Sequence, residues 1–262
     1  MDKKIYTFWE PKDNIPAYLK LCMQTWKKFL PEFQIVILDY SNISEYLEPN
    51  CFDDSLYKNF PLAKQADAIR CAILKKYGGV WFDVDTIITS AKVRKFFNIK
   101  SDFILFGNHI ACIFANKDAY ILQRWAEELQ KRISTYKKLK AYTRYFDRNM
   151  YRKIKDWNYL GNDIIDKYLD RVSEKDFYRV NRIESGAIAE LNYYEHIEIN
   201  NEVAYKKFYF ENNFVDYITK YKNDGIILLH NSWTPNEYKQ MSVKEFLSCK
   251  NTLSELLNNI LF

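Results

Sequence analysis

Two aspartates close the apolar run Val80-Trp81-Phe82-Asp83-Val84-Asp85. In an extended strand Val80, Phe82 and Val84 face one way, while Trp81, Asp83 and Asp85 share the other side. Two carboxylates so placed can hold one hard divalent cation, and such a cation bridges and neutralises the phosphates of a diphosphate. Taken alone, the same pair is more commonly a solvated strand end. Asp67 and Arg70 lie three apart on one face of the preceding helix, where they pair with each other or meet a polar ligand. Towards the C-terminus, the apolar run Ile226 to Leu229 leads into His230-Asn231-Ser232-Trp233. Asn108, His109, Asn162 and Asp163 are polar residues at element ends, open to contact with a second substrate or to ordinary turn and capping duty.

The elements that must position these residues can be read from periodicity. Ile5 to Trp9 and Gln34 to Leu38 are β-branched and aromatic runs of strand length. Between them, Leu19, Cys22, Met23, Trp26 and Phe29 recur at three and four, the apolar face of a helix over Pro16 to Phe29. Asn59-Phe60-Pro61 reads as a helix start, with Asn59 near the cap, and Gly78-Gly79 stops that helix after Tyr77. Val80 to Ile88, Phe103 to Phe106 and Ile110 to Phe114 are further strands, and Val243 to Phe262 has the pattern of one amphipathic helix. Strand, helix, strand at the opening favours an α/β fold with a parallel sheet, whose ligands gather at the carboxyl ends of the strands.

Composition narrows the function classes. A chain of 262 residues with 48% hydrophobic and 17% aromatic residues is not disordered, and 6 Gly with 6 Pro exclude collagen-like or low-complexity segments. No apolar run approaches the roughly 20 residues that span a bilayer. The N-terminus opens into a strand-like segment without an apolar signal core, so the expected location is the cytoplasm. Five widely spaced cysteines form no C-x-x-C pair and read as reduced thiols. The net charge of +5 is concentrated: Arg124 to Asp156 carries eleven Lys or Arg against four acids. Alternating with Tyr136, Leu139, Tyr142, Tyr145, Phe146, Tyr151 and Trp157, these charges are either a solvated face or a surface for anionic lipid at the inner leaflet of the cell membrane. No nucleic-acid motif accompanies them, so nucleic acid is not an expected partner.

The stretch Ala66-Asp67-Ala68-Ile69-Arg70, followed by Tyr77-Gly78-Gly79-Val80-Trp81-Phe82-Asp83-Val84-Asp85, resembles glycosyltransferases of the DXD type. Its nearest likeness is to the family 32 and bacterial capsular polysaccharide synthesis enzymes, with the glucosyltransferase domains of clostridial toxins as more distant kin. The resemblance implies a GT-A fold with a Rossmann-like nucleotide-sugar half, a single domain over residues 1–262. Residues 1–115 would bind the nucleotide sugar, 116–225 would form a helical acceptor region, and 226–262 would close the site. It implies a hexose transferred, with retention, from a nucleotide diphosphate sugar, preferably a uridine diphosphate hexose, to a glycan or lipid-linked glycan acceptor with Mn²⁺ or Mg²⁺. By the same resemblance Asp85 and Asp83 serve the metal, Asp67 and Arg70 hold donor hydroxyls, and Trp9 and Trp81 flank the nucleotide. His230, Ser232 and Trp233 complete the metal and diphosphate shell. Tyr6 stands where family members often carry His, and Ala66 where they often carry Ser, which leaves some nucleotide contacts open. Two rivals from other classes remain: a metal-dependent phosphohydrolase, to which three histidines (109, 196 and 230) offer few ligands, and a non-catalytic carbohydrate-binding or scaffold protein.

Overall fold

The computed structural model describes residues 3–48, 51–52, 56, 59–107, 109–141, 154–180, 200–214 and 225–262. Asn108, His196 and residues 142–153 of the basic stretch, with Tyr142, Tyr145, Phe146 and Tyr151, lie outside them. In chain order the elements are β1 (Lys4–Phe8), α1 (Ala17–Phe29), β2 (Gln34–Leu38), α2 (Leu62–Tyr77), β3 (Gly79–Phe82), β4 (Thr86–Ile88), β5 (Phe103–Phe106) and β6 (His109–Ala115). They continue with α3 (Tyr120–Ala141), α4 (Asn162–Leu169), β7 (Tyr178–Val180), α5 (Asn201–Lys206), β8 (Ile226–Leu228), α6 (Val243–Ser248) and α7 (Thr252–Leu261). The fold is α/β, as the sequence pattern implies. The chain forms two compact units: residues 1–12, 35–81 and 100–179 make the first, and 13–34, 82–99 and 180–262 the second.

The first unit carries the six-stranded sheet, in the order β2-β1-β3-β6-β5-β7. β1 and β3 run parallel, with Ile5 opposite Val80 and Tyr6 opposite Trp81, while β5 and β6 are antiparallel. Helix α2 packs against β1 and α3, and its buried Ala68, Ile69, Ile73 and Leu74 share one core with Trp125, Leu129 and Ile133 of α3. Such a face removes apolar surface from water at roughly 25 cal/mol per Å², the main force holding helix to sheet. Gly78 ends α2 at φ +66°, and a Cβ there would sit 2.7 Å from the Lys117 backbone nitrogen, so only glycine makes this turn without displacing the chain.

The second unit is organised on the antiparallel pair β4 and β8, in which Thr86 faces Leu228 and Ile88 faces Ile226. Helix α1 packs on β4 and on α6 and α7, and its buried Trp26 donates from Nε1 to the Thr86 carbonyl at 2.7 Å.

Four expectations are corrected. Val80 to Ile88 is not one strand: the Thr86 amide donates to the Asp83 carbonyl at 2.9 Å, closing a turn between β3 and β4. Asp83 and Asp85 are therefore positions one and three of a turn, not neighbours on a pleated face. Val243 to Phe262 is likewise two helices, because the Asn251 side chain accepts from the Ser254 amide and starts α7 afresh. At α2 the N-cap is Pro61, without a side-chain cap, rather than Asn59. The basic stretch is also not uniformly a solvated face. Arg132 is buried, and the ring of Tyr136 lies 4.8 Å from that of Phe60. Among the described residues, no helix is long and apolar enough to cross a membrane.

Candidate functional site

In the first unit the structure joins Asp67, Arg70 and Trp81. Arg70 Nη1 lies 3.3 Å from Asp67 Oδ1, one turn apart on α2, and the guanidinium carbon sits 5.1 Å from the Trp81 ring centroid. Arg70 is 3% exposed and Trp81 fully buried, so Trp81 supports the guanidinium from below. Asp67 retains some exposure. Trp9, half-buried just past β1, donates its amide to the Leu38 carbonyl at 3.0 Å, at the carboxyl end of the sheet's parallel strands.

A residue that motif reading missed completes this group. Gly161 packs so closely that a Cβ there would lie 2.8 Å from Asp67 Oδ2 and 2.5 Å from Ile110 Cδ1. Asn162, the first residue of α4, is thus the chain neighbour of the glycine packed on Asp67, and His109, half-buried at the start of β6, is the chain neighbour of the Ile110 that packs on the same glycine. Their candidacy rested on position alone, and Gly161 within Gly161-Asn162-Asp163 was the available signal. Gly161→Ala is expected to displace the Asp67 carboxylate and raise the KM for a donor sugar about tenfold, while stability falls by only about 1–3 kcal/mol of overpacking. Steady-state kinetics beside thermal unfolding check this, and an unchanged KM would show that Asp67 does not meet the donor.

The segment that carries Gly161 is tied down by side chains of the helices beneath it. Lys64 donates to the Ile154 carbonyl, Arg132 to the Tyr159 carbonyl, and Trp125 Nε1 to the Leu160 carbonyl at 2.7 Å. Arg132 also meets Asp163 at 2.5 Å and Glu128 at 3.2 Å. Burial pushes the Glu128 carboxyl up, but hydrogen bonds from Arg132 and Lys167 outweigh it and hold the group below the usual carboxylate range. Asp163 is therefore partly committed to an ion pair, although it is exposed.

In the second unit the antiparallel register brings the chain after β8 to the Asp83–Asp85 turn. The Leu229 amide donates to the Asp85 carbonyl at 3.2 Å, and the Asn231 amide to Asp85 Oδ2 at 2.7 Å. Asn231 is held in turn by the Tyr18 hydroxyl, which donates to its Oδ1 at 2.5 Å. Asn231 and Tyr18 are contributors the sequence reading did not single out, although Asn231 stands inside the His-x-Ser-Trp run. Asp85 is buried, Asp83 half-buried and Ser232 exposed. His230 stacks on Trp233 with ring centroids 4.1 Å apart, and both rings pack edge-on to Tyr205. Burial, with the Asp85 charge adding to it, pushes the hydroxyls of Tyr18 and Tyr205 and the thiol of Cys22 up, so all three stay protonated across the physiological range. Among the described residues, no three His, Cys, Asp or Glu side chains are gathered as a metal cluster.

Residues 1–175 match the family model described as capsular polysaccharide synthesis protein, and these residues include Asp67, Arg70, Asp83 and Asp85. The chain belongs to that family. The family resemblance carried by the Asp67 to Asp85 stretch is thereby shown, while His230, Ser232 and Trp233 lie outside the matched residues. No curated protein matches the chain in sequence. Among solved structures, "PaToxG Glycosyltransferase" is similar at 18% identity and a TM-score of 0.43, covering 65% of this chain and 69% of that one. A glycosyltransferase involved in the glycosylation of the major capsid of PBCV-1 is similar at 11% identity and a TM-score of 0.43, covering 90% and 97%.

Proposed function

We propose that this member of the capsular polysaccharide synthesis family is a glycosyltransferase of GT-A type. In this reading it moves a hexose, with retention, from a nucleotide diphosphate sugar to a glycan or lipid-linked glycan. A uridine diphosphate hexose is the preferred donor. The carrying observation is the Asp83-Val84-Asp85 turn, whose second carboxylate is oriented by the Asn231 amide. Mg²⁺ and its like are usually held by one or two carboxylates with substrate phosphates and water, not by an all-protein cage. Two aspartates of one turn, without a third gathered protein ligand among the described residues, fit a cation completed by its substrate. When bound, Mn²⁺ or Mg²⁺ would stabilise the negative charge that grows on the leaving diphosphate.

The remaining roles belong to the chain. Asp67 accepts from donor hydroxyls, and Arg70 both holds Asp67 in place and donates to the sugar. Asn231, fixed by Tyr18, keeps Asp85 in one rotamer before the donor arrives, so orientation is not purchased during the reaction. The acceptor oxygen bonds to the anomeric carbon as the bond from that carbon to the diphosphate oxygen breaks. The acceptor's proton passes to the departing diphosphate, so no protein nucleophile is required.

Thermal unfolding against uridine diphosphate hexoses and guanosine diphosphate mannose, each with and without Mn²⁺, tests this reading. A donor at about 100 times its dissociation constant stabilises by roughly 2.7 kcal/mol, several degrees in a chain of this size. A rise that requires both Mn²⁺ and one nucleotide sugar is expected. A folded protein indifferent to every nucleotide sugar would overturn it and favour the scaffold reading.

A further inference from the structure

The first unit contains an open cleft of about 440 Å³, lined in part by Asn162 and Asp163, which the sequence leaves open to contact with a second substrate. This is within the range of roughly 300–1,000 Å³ typical of small-molecule sites. Its walls include Asp156 and Asn158 from the turn before α4, Asp163 and Asp166 of α4, Asp170 just past it, and Arg179 of β7. The cleft also reaches Asn162, beside the Gly161 that packs on Asp67.

Its chemistry restricts the occupant. Four carboxylates, of which Asp163 is ion-paired with Arg132, outnumber the Arg179 guanidinium and leave a net negative lining that repels phosphate, diphosphate and uronic acids. Of these groups only Arg179 opposes a bare divalent cation, since carboxylates and Asn carbonyls are its ordinary ligands, and Ca²⁺ is therefore the competing occupant that the test includes. Carboxylates, amides and a guanidinium together are instead a dense set of acceptors and donors for a neutral polyol. A second observation points the same way. Trp157, placed between Asp156 and Asn158, is 63% exposed, and Tyr178, next to Arg179, is 40% exposed. Trp is among the residues most buried on average, and an uncovered indole offers an apolar face against which the C–H face of a sugar ring can pack. The turn is also preorganised, because Lys64, Trp125 and Arg132 anchor its backbone carbonyls from below.

We infer that this cleft receives a neutral pyranose of the glycan acceptor, held by Asp156, Asp166, Asp170 and Arg179 with Trp157 at its rim. The inference rests on the transferase reading and adds to it the acceptor's charge class: the receiving sugar carries no acidic group, and any lipid diphosphate lies outside the cleft. Burial raises the Asp166 carboxyl, with Arg179 opposing and Asp163 and Asp170 adding to the rise, as expected for carboxylates crowded in one cleft.

Saturation-transfer NMR of the whole protein tests this with methyl glycosides of glucose, galactose, mannose and N-acetylglucosamine, with methyl glucuronide as the acidic counterpart. At least one neutral glycoside is expected to receive saturation and the glucuronide none. An Asp166→Asn, Asp170→Asn double variant is expected to bind about tenfold or more weakly, through lost charge-assisted hydrogen bonds. Trp157→Ala, a surface change that leaves the core intact, is expected to weaken binding without lowering the melting midpoint. Saturation of no neutral glycoside, preference for the glucuronide, or calorimetric binding of Ca²⁺ alone that the double variant abolishes would each overturn the inference. Hydrolysis of nucleotide sugar by the same wild-type sample keeps the two readings apart. Hydrolysis without glycoside binding refutes the cleft alone, whereas glycoside binding with no response to any nucleotide sugar refutes the transferase.

Discussion

Asp85→Asn is expected to lower sugar transfer by about a hundred- to a thousandfold, the usual cost of removing one group that stabilises developing charge. The variant keeps an oxygen able to accept from the Asn231 amide, which in the native chain reaches Asp85 Oδ2 at 2.7 Å, so the β4 and β8 framework should survive. What it loses is charge, and in the proposed transferase that charge holds the divalent cation. The Mn²⁺ concentration for half-maximal rate should rise along with the fall in kcat. Initial rates over a Mn²⁺ series, with the melting midpoint as a folding control, separate these effects. A variant whose half-maximal Mn²⁺ concentration is unchanged would show that Asp85 does not hold the metal.

Arg70→Ala should cause the largest loss of stability among changes near the site. Arg70 is 3% exposed, lies 3.3 Å from Asp67 and rests over the buried Trp81. Removing one partner of a buried ion pair strands the other charge and costs about 3–5 kcal/mol. That corresponds to a fall in melting midpoint on the order of 10 °C for a chain of this size. Pairing the change with Asp67→Asn should restore part of the loss, since no carboxylate is then left unopposed. Denaturant midpoints for the two single variants and the double close the cycle. Strict additivity would mean that the two side chains do not communicate.

Much of this architecture was legible in the sequence. Strand β2 and helix α1 follow from hydrophobic period, and α2 ends after Tyr77 because the chain needs a positive φ at Gly78. The family was legible from residues 66 to 85, where several chemically demanding positions fall in one short stretch. The turn at Asp83 to Asp85 was not, because it contains no glycine, proline or asparagine, and its apolar Val84 continues the strand's alternation. What breaks the strand is the long-range pairing of β4 with β8, a partner more than a hundred residues away. Arg132 was misjudged for a similar reason. Counted among eleven basic residues it reads as surface charge, and only tertiary structure reveals carbonyls and carboxylates around its guanidinium. The cleft beside α4 was legible only at Asn162 and Asp163, read as open to a second substrate, because Asp156, Asp166, Asp170 and Arg179 carry no motif and come together only in the fold.

The anchoring of the turn before α4 has a consequence for how this enzyme family can diversify. Lys64, Trp125 and Arg132 grip main-chain oxygens, which every amino acid possesses. Asp156 also fastens its own turn, accepting from the Asn158 amide at 2.8 Å, so Trp157 and Asn158 are the side chains here whose exchange spares these anchors. Exchanging them rewrites the lining and rim of the cleft while the loop stays where it is. A graft of this short stretch between relatives should carry recognition with it and leave the scaffold's cooperativity intact. Under the proposed acceptor role, a change of receiving sugar can thus be reached through a few codons without renegotiating the fold.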